Sequence, residues 1–380
     1  MSAKYYCVLK DQAGKKIAYF DNWFHLAVYK RVNEPGSFNF VIDGTDSRAS
    51  LFKLDCQFEV YRSDIENDLD WYVEFEGFCR KFTTEVDDKG KTFFTVGGVG
   101  YLDLLDRRII AYKSAHVRTQ KNDVGETVIK EFVNENAGAN SLVSGGRLRD
   151  GNISELSIQA DTGLGSNWKG QRSYEGLLKV CQEVSQETGI DFDVIGVGAN
   201  LYNFRTYENQ RGVDRTNTDI DLQTGKNSSG QYPIIFSIDR GNMGNPKYDN
   251  DRLTEKNVAF IAGSGVEDER EIEIVVDADS EDDSPLNTRE TKRDARNQDS
   301  DELESVGDNV LSENNARVTF TFTALRASNS IYGKDYNFGD MITSYFGGVE
   351  RNDKVSLADI FVDSGEDRIN IRLGTLRYDW

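Results

Sequence analysis

Histidine occurs twice in this chain, methionine three times, and proline and cysteine four times each. These scarcities narrow the chemistry. The histidines, His25 and His116, stand far apart, and neither sits in HExxH or another ligand spacing. No GxSxG marks a serine nucleophile. Cys7, Cys56, Cys79 and Cys181 form no CxxC pair and fit no zinc spacing. Three of the four lie in apolar or aromatic runs, which reads as buried free thiols. No run approaches the ~18 apolar residues of a membrane-spanning helix. The N-terminus lacks a basic segment leading into an apolar one, so the expectation is no signal peptide and synthesis in the host cytoplasm. Basic charge is also short: 45 Lys and Arg stand against 65 Asp and Glu, a formal net charge of −20. That balance opposes wrapping of nucleic acid by counterion release and docking on an anionic membrane. It is compatible with DNA sliding past, because an acidic wall repels phosphate.

What is present is β-pattern. The 380 residues are 38% hydrophobic and 11% aromatic, enough for two or three domains with real cores. Phe38, Phe40 and Ile42 alternate, as do Phe58 and Val60, and Tyr72 to Phe75 and Thr92 to Val96 continue the pattern. Period two with turn residues between runs predicts antiparallel strands over 1–113. Asn33-Glu34-Pro35-Gly36 and Asp87-Asp88-Lys89-Gly90 are the turn signals there. Residues 114–232 change character. Val124, Val128, Ile129, Phe132 and Val133 fit one helix face, with Asp123 and Glu126 placed as a capping box. Tyr174, Leu177, Leu178, Cys181 and Val184 fit a second, with Ser173 as its cap and Gly189 as its stop. The Gly/Ser/Asn-rich 134–172 and the polar 211–230 read as loops. Residues 233–380 return to β, interrupted by an acidic segment at 277–308 and a helix near 299–313. The expected fold is mainly β: two tube-like antiparallel β-barrel domains, 1–113 and 233–380, around a small α+β insertion at 114–232.

Candidate chemistry is sparse. Gly98-Val99-Gly100 follows a strand, but the third Gly of a phosphate loop is replaced by Asp103, so a strand-to-turn transition is favoured. Asp277, Asp279 and Glu281 are weak candidates for a hard cation. Asp282 stands where a calcium loop needs Gly, and Thr288 where it needs Glu, so a solvated acidic loop is favoured. Trp168 in its loop is a candidate for stacking on a sugar, with packing the better reading. No cofactor is expected.

A train of short motifs closes the chain: Gly263-Ser264-Gly265, Arg270, Arg289-Glu290, Asp294-Ala295-Arg296, and Tyr332-Gly333-Lys334-Asp335-Tyr336-Asn337-Phe338-Gly339-Asp340. Such motifs punctuate strands; Gly339-Asp340 fits a tight turn. With Tyr29 to Phe38 (including Pro35 and Gly36), Gly97 to Leu105, Arg107 to Ile110, Ser173 to Val194 and Phe236 to Asn242, their order resembles the siphovirus tail proteins that form the central tail-tip or baseplate hub. The segment after Gly265 departs from the pattern, reading Val266-Glu267-Asp268-Glu269 where another Gly is expected. The resemblance implies a structural virion protein rather than an enzyme. Three copies would close a ring that continues the tail tube, conduct DNA without binding it, and meet tube, tape-measure and receptor-binding fibre or spike proteins. A glycan-binding adhesin acting through the 114–232 loops is the alternative, and a cell-wall hydrolase a more distant one.

Overall fold

A computed structural model of the protein describes residues 3–111, 119–296, 298–363 and 366–374. His116, Trp380 and the expected boundary at 113–114 lie outside the described residues.

The N-terminal strands are β1 (Lys4–Lys10), β2 (Lys16–Phe20), β3 (His25–Arg31), β4 (Ser37–Asp43), β5 (Gln57–Asp64), β6 (Leu69–Val86) and β7 (Thr92–Gly100). Alternation makes them: in β4, Phe38, Phe40 and Ile42 point inward while their neighbours stay half-exposed. Phe38 stacks on Phe58 of β5, ring centroids 4.6 Å apart. Gly98 permits this packing, because a Cβ there would lie 2.2 Å from the Phe38 ring. Gly98-Val99-Gly100 is therefore the end of β7, not a phosphate loop. A short helix, α1 (Asp103–Asp106), follows.

A second core is built from β8 (Thr119–Val124), α2 (Gly125–Asn136), β9 (Leu156–Ile158), β10 (Asn167–Arg172), α3 (Leu177–Thr188), β11 (Ile190–Gly198) and β12 (Leu201–Glu208). The 134–172 stretch thus holds two strands as well as loops. Trp168 lies in β10, 1% exposed and edge-on to Phe132, which removes it from any sugar-stacking role. Ser173 does not cap α3; Gly176 precedes the helix, while Gly189 ends it with φ 73°.

The polar 211–230 run opens with a two-residue strand, β13 (Asp214–Arg215). The rest of the chain gives β14 (Ile235–Ser237), β15 (Met243–Asp251), β16 (Val258–Ala262), β17 (Ile272–Val276), α4 (Ala278–Glu281), β18 (Glu290–Asp294), α5 (Leu303–Asn314), β19 (Arg317–Ala324), β20 (Met341–Phe346), β21 (Val349–Asp363) and β22 (Glu366–Leu373). The acidic segment therefore contains α4 and β18. Strands β16 to β18 and α5 close a third, small core around Ile261, Leu303 and Leu311.

No described sheet closes into a barrel, which corrects the expectation of two barrels. Fourteen strands from both ends of the chain form one continuous sheet, ordered β15-β19-β22-β21-β3-β4-β7-β6-β5-β1-β2, with β13, β14 and β20 branching from β21. The seam is β3 against β21, antiparallel from Leu26↔Val362 to Arg31↔Leu357. A single apolar core lines both halves. They merge because β3 and β21 each present a full row of backbone partners, and pairing removes two exposed edges. The sheet curls until β5 and β22, with five strands between them, face each other across the 326–340 loop. Polar side chains, not a strand pair, bridge that gap.

Candidate functional site

The site lies where the three chain regions meet. Phe58, Val60 and Arg62 share one face of β5 by period two, so the strand directs a guanidinium inward after two apolar residues. Arg62 is 1% exposed. It donates to the Tyr5 hydroxyl (2.9 Å), the Tyr72 hydroxyl (3.2 Å), the Tyr332 carbonyl (2.7 Å) and Asp367 (3.4 Å). Burial works against its charge, but Tyr5, Tyr72, Glu74 and Asp367 around it hold its pKa above the ordinary arginine value. Beside it, buried Glu74 accepts from Lys30 (2.7 Å), Tyr72 (2.5 Å) and Tyr332 (3.0 Å). Burial and the Glu74 charge push the Tyr332 phenol far up.

The Tyr332–Asp340 loop is shaped by two glycines, Gly333 (φ 87°) and Gly339 (φ 91°). Asp340 is 2% exposed and accepts from the Asn337 and Val213 amides, each at 2.8 Å, and from Arg215 at 3.0 Å. It therefore fixes both its own turn and the 211–215 segment. Phe338 lies between two cations, Lys30 at 5.2 Å and Arg211 at 5.3 Å from its ring centre.

The 33–36 turn supplies the third side. Asn33 takes φ 57°, which its short amide tolerates. Its side chain donates to Ser185 (2.7 Å) and Asp191 (3.1 Å) and accepts from the Phe192 amide (2.7 Å), while its carbonyl accepts from Gln182 (2.8 Å). Asp191 also accepts from Lys354 of β21 at 2.7 Å. The Pro35 carbonyl accepts from the Gly100 amide at 2.9 Å. Between these groups is a cavity of about 160 Å³ bordered by Lys30, Pro35, Gly36, Glu76, Arg211 and Phe338.

Glu76 is the strained member. Burial, then the charge of Glu59, push its pKa up to about 7; Asp193 acts in the same sense, while Lys10 and the Gly196 amide oppose them. The folded pKa exceeds the unfolded value of about 4.3, so the stability tied to the neutral form is full below pH ~4.3 and is lost as pH rises through 7. Glu76→Gln is expected to stabilise the protein by roughly 1 kcal/mol at pH 8, allowing for the solvent that reaches the site, and to match wild type near pH 4. Thermal melts across that range check this.

Of the motif residues, Pro35, Gly36, Tyr332, Gly333, Gly339 and Asp340 converge here. Gly263, Gly265, Arg270, Glu290 and Arg296 do not; they belong to the small third sheet. There Arg270 donates to the carbonyls of Ala262 (3.0 Å) and Gly263 (3.3 Å) and pairs with Asp294, which also pairs with Arg296. Glu290 begins β18 at the other end. Gly265 has φ 97°, and where a further Gly was expected, Glu267 takes φ 52°. Asp277 caps Ser280, Glu281 accepts from Thr288, and Asp279 is exposed; among the described residues no cluster is arranged to hold a metal. All four cysteines are free and buried, and burial raises the Cys7 and Cys79 thiol pKa values. His25 contacts Asp363 at 2.7 Å. Arg62, Glu74, Asn33, Asp191 and Arg211 were missed from the sequence. For Arg62 a signal existed: a charge in phase with Phe58 and Val60.

The arrangement binds elements to one another; its donors and acceptors are engaged mutually. Part of the motif train contributes to it. The pattern described as Siphovirus ReqiPepy6 Gp37-like protein matches residues 8–375.

The chain belongs to that family.

The family is one of siphovirus proteins. The fold of this chain is similar to the 43 kDa tail protein of prophage MuSo2 from Shewanella oneidensis, at 10% identity and TM-score 0.57, covering 98% of this chain and 96% of that one. It is also similar to the tail protein from Neisseria meningitidis MC58, at 12% identity and TM-score 0.55, covering 98% and 97%. The half-lidded Francisella PdpA-VgrG complex contains a chain matched at 8% identity and TM-score 0.53, covering 100% of this chain and 59% of that one. No curated protein matches.

Proposed function

We propose that this chain is a structural virion protein, the central hub of the tail tip, three copies closing a ring that continues the tube and conducts DNA. The observation that carries this reading is the β3–β21 seam: strands from both chain ends make one curved wall with outer strands β2 and β15, rather than a self-contained barrel. Such a wall has a shape suited to the heterologous interface that a closed ring requires. Its two halves supply the two tube-like units per copy, and three copies supply six. The α+β core at 119–208 then decorates the outside of the wall, while the ring joins the tube to receptor-binding fibre or spike proteins and its pore holds the end of the tape-measure protein. The buried joint at Arg62, Asp340 and Asn33 holds these parts at fixed angles. Three copies at −20 each carry −60, and acids on the lumen would let DNA pass without adhering.

Light scattering at low and molar salt is expected to give a trimer, and electron cryo-microscopy a threefold ring with an acidic bore. A particle that stays monomeric even when mixed with its tube protein would overturn the hub reading. A ring with a neutral or basic bore would overturn the lumen assignment alone.

A further inference from the structure

The small third sheet has two unlike edges. On one side β18 reads Glu290-Thr291-Lys292-Arg293-Asp294, charged at four of five positions, which is how natural sheets protect an edge. On the other side β17 reads Ile272-Glu273-Ile274-Val275-Val276, with neither Lys nor Pro. β17 pairs only with β16 among the described residues, so its outward row of amides and carbonyls has no strand beside it. Val275 faces α5 and packs against Gly307. Period two therefore turns Ile272, Ile274 and Val276 to the opposite face, where they are 47%, 52% and 44% exposed. Half-buried Phe260, in register with Ile274, extends that apolar strip onto β16.

The surroundings of this strip are acidic. Residues 266–284 hold ten carboxylates and one cation, Arg270. Arg270 is turned inward onto backbone carbonyls and Asp294. Glu267 and Glu269 precede β17, and Asp277, Asp279 and Glu281 follow it, so both ends of the open edge are negative.

We propose that β17 is a docking edge for an extended segment of another protein, one with alternating apolar residues flanked by lysine or arginine. The segment adds as a further strand: main-chain hydrogen bonds supply affinity, Ile272, Ile274 and Val276 seat its apolar side chains, and the acidic rims select its basic flanks. A second copy of this chain fits poorly, because antiparallel β17–β17 pairing sets one acidic rim against another. This inference stands apart from the ring: it needs only the small sheet as it is.

The test uses the full-length protein and a fluorescein-labelled peptide, Lys-Arg-Ile-Thr-Val-Thr-Ile-Lys-Arg, followed by anisotropy. Saturable binding is expected at about 50 mM salt, weakening several-fold at about 500 mM. A peptide with Glu and Asp in place of the basic flanks is expected not to bind. Peptide binding is expected to slow amide exchange in 272–276. Ile274→Lys, a change at a half-exposed position, is expected to weaken binding by at least about tenfold. Ile274→Thr, which retains strand propensity, is expected to weaken it less. Absence of binding by the wild type, or equal binding by Ile274→Lys, overturns the proposal. A wild-type self-association abolished by Ile274→Lys also overturns it, by assigning the edge to a second copy.

Discussion

Arg62→Ala is expected to lower unfolding stability by about 3–5 kcal/mol, the range for breaking a buried charge cluster by removing one partner. The guanidinium satisfies four groups at once, drawn from β1, β6, the 326–340 loop and β22. β1 and β6 flank β5, whereas five strands separate β22 from β5, so Arg62 ties its own strand neighbours to the far side across the gap. Its removal leaves the Tyr332 carbonyl without a donor and the Tyr5 and Tyr72 hydroxyls with only the carboxylates they donate to, and weakens the compensation of Asp367 and Glu74. Arg62→Lys is expected to recover only part of the loss, because one ammonium cannot reproduce the fork of contacts. Urea titration measures both. A loss below about 1 kcal/mol for Arg62→Ala would show that the curl of the sheet is held by its apolar core alone.

Glu126→Ala is expected to be comparably damaging, about 3–5 kcal/mol, for a related reason. Glu126 is 1% exposed and pairs with Lys130. It also accepts from the Thr162 amide (3.1 Å) and hydroxyl (2.8 Å), the Leu164 amide (2.9 Å) and the Thr206 hydroxyl (2.8 Å). Its loss leaves the buried Lys130 ammonium without a counter-charge, holding only the Ala160 carbonyl, and several donors unsatisfied. Burial alone would raise its pKa, but the hydrogen bonds from Lys130, Thr162, Thr206 and Leu164 overcome this and bring it to about 2. A folded pKa below the unfolded value of about 4.3 means the contribution is complete above pH ~4.3 and disappears as pH falls through 2. Glu126→Gln is therefore expected to flatten the acid limb of the stability curve between those values. An unchanged acid limb would assign that limb to other carboxylates.

Glu126 also shows where local pattern misleads. Asp123 and Glu126 have the spacing of a capping box, yet Asp123 accepts from its neighbour Val124, and α2 begins at Gly125. Glu126 instead reaches the 160–164 loop and β12, partners more than thirty positions away. A spacing rule sees only near neighbours: it reaches Lys130, four residues on, but not Thr162, Leu164 or Thr206. Ser173 does not cap α3 because the chain bends at Tyr174, φ 54°, and the helix starts only after Gly176, which an isolated bridge joins to Ile109. By contrast, the turn at 87–90 was readable: Asp87 holds the Lys89 and Lys91 amides and Gly90 takes φ 79°, all within five residues. The site was half legible. The glycines at 36, 333 and 339 announced turns, but nothing local linked Asn33 to Ser185 or Arg62 to Tyr332.

The sequence by itself determined the strand-rich ends, the helical faces of the middle, the acidity and the motif order that resembles siphovirus tail proteins. Period-two and 3.6-residue patterns are local, because each records which side of one element meets apolar surroundings. Only the tertiary structure decided that both ends share one open sheet, that Arg62 and Asp340 hold it, and that the acidic segment builds a separate small sheet. Those outcomes depend on which edges meet and which buried charges find partners, and such pairings join residues up to hundreds of positions apart.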